Sequence, residues 1–203
     1  MSPESTLERI HRAARKEFRE RGFHSASLRN IVKSVGMTTG AFYGYYKSKE
    51  ELFAALVEEH YRYILDRFCR AQEEFARLPQ EKQPEALGDS SGPCMSDILH
   101  YAYEHLEDCQ LLLCSSEGTR FAGLADQMVE IEVNATHAYQ AVLKELGRPS
   151  PEIDLRLEHI LITGMFHTFF ELIIHEMPLS EAEEYLQEMR EFYTAGWMKI
   201  MGQ

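Results

Sequence analysis

Between Ser27 and Leu52 the chain reads SLRNIVKSVGMTTGAFYGYYKSKEEL, and few folds accommodate that pattern. Leu28, Ile31, Val32 and Val35 recur at i, i+3, i+4 and i+7, which gives a short helix with one apolar face. Ser27 stands before that run as an N-cap. Gly36 follows its last apolar position, where a helix commonly ends in a left-handed residue. Thr38 then caps a second helix, about Thr39 to Tyr45, too short to be stable without tertiary support. Helix, three-residue turn, helix is the spacing of a DNA-binding helix-turn-helix. In the second helix Ala41 and Phe42 are expected to point inward, leaving Thr38, Thr39, Gly40, Tyr43 and Tyr45 outside. Small residues at its start admit close backbone approach to DNA, free N–H groups suit phosphate oxygens, and the tyrosines add hydroxyls and rings.

Net charge tests that reading. The chain carries -12 overall, an unfavourable balance for a polyanion partner. Residues 1–53, however, hold ten Lys or Arg against six Asp or Glu, while residues 54–203 hold eleven against twenty-seven. A basic head on an acidic body orients the protein on DNA.

The run G-M-T-T-G-A-F-Y-G-Y-Y-K-S-K-E-E-L resembles the signature of the TetR family of bacterial one-component transcriptional repressors, with Gly36, Gly40, Tyr43, Lys49 and Leu52 at the family's spacing. The resemblance covers about residues 5–55. It implies a recognition face of Thr38, Thr39, Gly40, Tyr43 and Tyr45, with Lys49 holding a phosphate; Ser27 and Arg29 complete the candidate DNA-binding set. Tyr46 stands where the family usually has a buried Phe, and Tyr45 where it often has His. Tyr46 reads as core; Lys47 reads equally as a backbone contact or a solvated lysine.

Upstream, a helix from about Ser5 to Arg21 places Leu7, Ile10, Ala14 and Phe18 on one stripe. Its other face is basic, with Arg9, Arg12, Arg15, Lys16 and Arg19, mostly a solvated face. Gly22 ends it and Phe23 reaches back to the core. Downstream, one helix of about 30 residues begins at Ser48 and spans roughly 45 Å. Its apolar side carries Leu52, Phe53, Leu56, His60, Ile64 and Phe68, with His60 read as a core histidine. The stretch PQEKQPEALGDSSGP, residues 79–93, is expected to be a loop. Helices are expected at about 95–109, 118–146, 152–175 and 180–201. The fold class is therefore all-α: an N-terminal three-helix helix-turn-helix domain, residues 1–50, and a larger helical effector-binding and dimerisation domain, residues 51–203.

The segment ILITGMFHTFFELII is apolar nearly all round, with Gly164 open to close approach. The last helix adds Tyr185, Leu186, Met189, Phe192, Tyr193 and Trp197. Pairing of these two helices with a second copy makes a four-helix homodimer interface, which the resemblance also implies; the alternative is a large monomeric core. A dimer presents two recognition helices to a palindromic double-stranded operator.

The body's ligand site is less legible. Tyr101, Leu112, Phe121, Met128, Tyr139, Phe166 and Phe170 are candidates to wall an apolar cavity, or ordinary core. Glu117, Glu130, Asn134 and His137 are expected along one helix, and His167, Glu171 and His175 at i, i+4, i+8 on another. Convergent, they would suit a cationic ligand or a metal; otherwise they are surface polar residues. The candidate ligand residues for an unknown small-molecule effector are Tyr101, Glu117, Phe121, Glu130, Asn134, His137, Phe166, His167, Phe170 and Glu171.

No catalytic residue, metal site or cofactor is assigned. The Glu-x-x-His spacing of di-iron bundles occurs at Glu8 and His11, in the wrong domain, and no H-E-x-x-H, G-x-S-x-G or phosphate loop appears. Cys69, Cys94, Cys109 and Cys114 lack zinc spacing and read as reduced thiols, with a redox pair at Cys109 and Cys114 the alternative. No apolar run of about 18 residues is free of charge, so a cytoplasmic protein without a membrane partner is expected. The functional expectation is a ligand-responsive transcriptional regulator, a repressor released from its operator by a small molecule. The alternative is a DNA-binding regulator whose body senses a metal or docks a protein partner.

Overall fold

A computed structural model describes residues 4–202, without the side chains of 88–91. The described residues form nine α-helices and one short 3-10 turn: α1 Thr6–Ser25, α2 Leu28–Ser34, α3 Thr39–Phe42, α4 Lys49–Ala76, the turn Gln80–Lys82, α5 Gln83–Glu104, α6 Leu106–Ser115, α7 Leu124–Glu145, α8 Leu155–Ile174 and α9 Leu179–Ile200. The fold is all-α.

The chain divides into two compact units. One comprises residues 1–63 and 105–122, the other 64–104 and 123–203. The division differs from the cut expected after residue 50: the first unit takes in the start of α4 and all of α6. α6 packs along α1 with Cys109, Leu111 and Leu112 buried, and a half-buried ion pair ties the two helices, Arg15 of α1 donating to both Asp108 oxygens at 2.6 and 2.7 Å. His60 of α4 approaches the same carboxylate at 3.7 Å. Burial alone would push the Asp108 carboxyl up, but hydrogen bonds from His60 and Arg15 hold it below its ordinary value.

In this head, α1 begins with a capping box. The Ser5 hydroxyl accepts from Glu8 N–H and the Glu8 carboxylate accepts from Ser5 N–H. Regular helical geometry breaks at Gly22, whose φ of 69° lies in the left-handed region, and this turns Phe23 inward. Phe18, Phe23 and Phe53 then pack edge-to-face and stacked with centroids 5.0 to 6.0 Å apart. Ile10, Ala14, Ile31, Val32, Phe42, Leu52 and Leu56 complete the core. Leu7, expected on the buried stripe, is exposed, because it lies in the first turn of α1, short of that core.

In the body, α7 packs on α8, and α9 packs on both α5 and α8. The loop expected over 79–93 is instead the 3-10 turn and the first half of α5. Pro84 sits in that helix's first turn, where a missing N–H costs nothing. Pro93 removes one internal hydrogen bond. Burial of Cys94, Ile98, Leu99 and Ala102 holds the helix despite these breakers. The helix expected from 118 begins only at Leu124, because Gly118 and Gly123 adopt φ of 84° and 80°. By length and composition α8 could cross a membrane. Here it buries Ile162, Phe166, Phe169, Leu172 and Ile173 in the body.

Candidate nucleic-acid interface and body cavity

The helix-turn-helix is built by local bonds. The Ser27 hydroxyl accepts from Asn30 N–H to cap α2, while Ser27 N–H and the Asn30 amide both donate to Glu17. Gly36, at φ 71°, makes the turn, and Arg9 donates to the Val35 carbonyl at 2.7 Å. The Thr38 hydroxyl caps α3 by accepting from Ala41 N–H. Only Phe42 anchors α3 in the core; Ala41, expected inside, is exposed, since a single turn can bury one face and Phe42 takes it.

The outer face therefore presents Arg29, Thr38, Thr39, Gly40, Tyr43 and Tyr45, all exposed, with Ser27 half-buried at its edge. Tyr43 and Tyr45 are 54% and 46% exposed, which is much for aromatic side chains. Tyr43 touches the Phe42 ring edge-on at 5.7 Å, a contact that orients it without covering it. Tyr46 is half-buried, stacked at a tilt on Phe42, with its hydroxyl hydrogen-bonded to His11. Exposed cations at Lys33 and Lys47 flank the face and were not in the expected set.

Lys49 departs from expectation. Its ammonium donates to the carbonyls of Phe23, His24 and Ala26 at 2.7, 3.2 and 3.1 Å, and lies 4.5 Å from the centre of the Phe23 ring. An ammonium has three N–H donors, and three carbonyls at the end of α1 use them. The lysine is thus an internal clamp on the α1–α2 connection, where a phosphate ligand had been expected. Part of the basic face of α1 is likewise spent inside the head, through Arg9 on Val35 and Arg15 on Asp108.

The body contains a cavity of about 470 Å³ walled by α4, α5, α7, α8 and α9. Aromatic rings dominate it: Phe68, Phe75, Tyr139, Phe166, Phe169, Tyr193 and Trp197. Its polar wall includes Gln72, Glu132, Thr136 and Arg190. Gln72 donates to the Glu132 carboxyl at 2.7 Å. Burial pushes that carboxyl up to about 7, the Gln72 bond opposing the rise. The Tyr139 hydroxyl is buried without a hydrogen-bond partner.

Of the ten candidate ligand residues only Phe166 lies on this wall, and of the other expected cavity residues Tyr139 does too. Glu130, Asn134 and His137 are exposed on α7. Glu130 and Asn134 stand two residues from Glu132 and Thr136, about 200° around a helix, and so face away, while His137 stands one residue, about 100°, from Thr136. His137 instead pairs at 2.8 Å with Glu158, whose side chain is buried. On α8 exposed His167 and Glu171 each stand two residues, about 200°, from Phe169, and Glu171 pairs with His175 at 2.6 Å. Phe170 is buried against Phe169 but off the cavity wall. Tyr101 is half-buried on α5, also off the wall. Glu117 and Phe121 belong to the head unit, Glu117 exposed and Phe121 packed against Phe53 and Tyr61. Among the described residues no three His, Cys, Asp or Glu side chains gather at one point. Cys109 is buried, with its thiol pushed up to about 12 by desolvation, the reverse of a reactive thiolate.

Comparison with known proteins reaches the head first. The bacterial regulatory proteins of the tetR family match residues 10–56. The HTH-type transcriptional regulator YdgC of Bacillus subtilis is 47% identical over 51 residues, which is 25% of this chain and 26% of that protein. The HTH-type transcriptional regulator UidR of Escherichia coli K12 is 43% identical over 63 residues, 31% of this chain and 32% of its own. These matches thus span about a quarter to a third of the relatives' lengths. The body is compared through structure: a crystallised member of the TetR transcriptional regulator family from Streptomyces coelicolor shares the fold over 95% of this chain and 90% of its own, with a TM-score of 0.56 at 17% identity. Residues 10–56 thus carry the helix-turn-helix of the bacterial regulatory proteins of the tetR family, and the whole chain shares the all-helical fold of the Streptomyces coelicolor protein.

Proposed function

We propose that this protein is a cytoplasmic, ligand-responsive repressor, without enzymatic activity, that binds a palindromic double-stranded operator as a homodimer and releases it when a small molecule enters the body. The exposed face of Thr38, Thr39, Gly40, Tyr43 and Tyr45 carries the reading, because nothing in the head's packing requires two largely uncovered tyrosines beside a capped helix start. Arg29, Lys33 and Lys47 supply exposed positive charge around it. We read residues 1–50 as the minimal DNA-binding segment and 51–203 as the effector and dimer segment, with α4 passing from one structural unit to the other.

The homodimer reading is supported by apolar side chains on α8 and α9 that their own unit leaves uncovered. Ile160 is 64% and Phe192 73% exposed, and Leu155, Leu157, Tyr185 and Met198 are also exposed. A Cβ added at Gly164 or Gly196 meets nothing within 4 Å, so both sites are open in the single chain. Large exposed apolar surface of this kind marks an interaction site. On α9 the two faces separate: Leu186, Met189 and Trp197 line the cavity, while Tyr185 and Phe192 lie outside. Release of DNA then requires the effector to bind one state of the dimer better than the other.

The test is footprinting on the DNA upstream of the protein's own gene, with salt titration. A protected palindrome whose affinity falls steeply with salt is expected. Absence of any protected sequence, or protection by a monomer, overturns the reading.

A further inference from the structure

We propose that the body cavity selects a lipophilic organic monocation, with apolar rings or chains filling the aromatic cavity and the positive centre seated against the Glu132 carboxyl; this rests on reading the cavity as the effector site. Three observations carry the charge class. First, the volume of about 470 Å³ is that of a site for a drug-sized molecule, and seven aromatic residues line it. Such rings attract a weakly hydrated cation through their electron-rich faces. Second, Glu132 is an acid placed among those rings with a neutral partner, the Gln72 amide. An apolar ligand would leave that carboxyl with the same deficit of positive charge, whereas a cation supplies the missing countercharge. Burial there raises its pKa to about 7, against the Gln72 hydrogen bond.

Third, the remaining charges on the wall do not supply the cation themselves. Glu183 pairs with His100 at 2.6 Å. Arg190 lies against the α5 backbone, its guanidinium only 2.6 Å from where a Cβ on Gly92 would stand, so Gly92 is the residue that admits it there. Of the other titratable wall residues, Cys94 has its thiol pushed up to about 11 by burial and is neutral, while Tyr139 and Tyr193 carry phenols. Among the described residues the wall therefore holds two carboxyl groups to one guanidinium. An anionic amphiphile seated on Arg190 is the competing outcome.

The experiment uses the full-length protein and Trp197, the only tryptophan of the chain and part of the cavity wall, as the reporter. Three probes of similar shape are titrated: tetraphenylphosphonium, tetraphenylborate and neutral triphenylphosphine oxide. At about pH 8, where Glu132 is ionised, the phosphonium is expected to change Trp197 fluorescence saturably and to bind about tenfold tighter than the borate. Its affinity should fall as pH drops through about 7. In Glu132→Gln, an isosteric change, the ratio of phosphonium to phosphine oxide affinity should drop about tenfold and the pH dependence should vanish. Equal or tighter borate binding, tighter phosphine oxide binding, or an unchanged ratio in Glu132→Gln overturns the cation while leaving a ligand-binding cavity. If none of the three probes changes Trp197 fluorescence, the cavity does not admit ligands of this size, and the effector reading fails with it.

Discussion

Replacing Lys49 by Met keeps the stem over the Phe23 ring and removes the ammonium, leaving the carbonyls of Phe23, His24 and Ala26 without their shared donor. A hydrogen bond from a charged group contributes roughly 1.5–3 kcal/mol, but the three share one half-exposed ammonium and water can replace it in part. We estimate a loss of about 2–3 kcal/mol in all. For a chain of this size each kcal/mol lowers Tm by roughly 2–4 °C, so thermal unfolding followed by circular dichroism should shift down by about 5–10 °C. DNA binding gives the second readout. A lysine that contacts a phosphate contributes about 0.9 to the slope of log K against log salt. Lys49→Met should weaken operator binding only by loosening the α1–α2 connection, with that slope unchanged. A slope reduced by about one together with an unchanged Tm would refute the internal clamp and restore the phosphate role. Lys33→Met, at an exposed position, serves as the contrasting variant: it should leave Tm alone and lower the slope.

Tyr43→Ala should lower operator affinity about tenfold or more without changing Tm, since the side chain is largely uncovered; wild-type affinity in a fluorescence-anisotropy titration would remove it from the interface. Gly164→Leu should produce monomers by light scattering, because the added side chain has room within one chain but not against a second helix; a retained dimer moves the interface elsewhere. Arg15→Ala leaves the half-buried Asp108 carboxylate with only His60 beside it and should cost about 1.5–3 kcal/mol in urea unfolding. Asp108 is held below its ordinary value, so its contribution is present above the unfolded pKa and lost as pH falls through the lower folded one; the wild-type to Arg15→Ala difference should shrink in acid, and a difference that persists there would contradict the pairing. Glu132 has the opposite sign, its folded pKa raised from 4.5 to about 7, which destabilises the fold progressively as pH climbs between those values by up to roughly 3 kcal/mol. Glu132→Gln should therefore be more stable than wild type above about pH 7, and equal stability would show that the carboxyl is hydrated.

The legible parts of this protein are those set by neighbours in the chain. Helix caps at Ser5, Ser27 and Thr38, the left-handed Gly36, the buried Phe42 and the apolar stripe from Leu52 to Phe68 all follow from interactions within a few residues, and the sequence alone determined them. So did the charge contrast between head and body, and with it the expectation of a DNA partner. Tertiary structure decided what depends on distant partners. The destination of the Lys49 ammonium depends on carbonyls more than twenty residues away, which local spacing does not place. The membership of α6 in the head depends on its packing along α1 and on an ion pair spanning ninety-three positions. Residues 83–93 read as a loop by composition, and become helix because the buried face beginning at Cys94 extends it. In the body, both Glu130 and Glu132 sit on an amphipathic helix, and a rotation of about 200° separates them. Periodicity gives the helix but not which side meets the cavity, because that side is chosen by the four other helices that wall it.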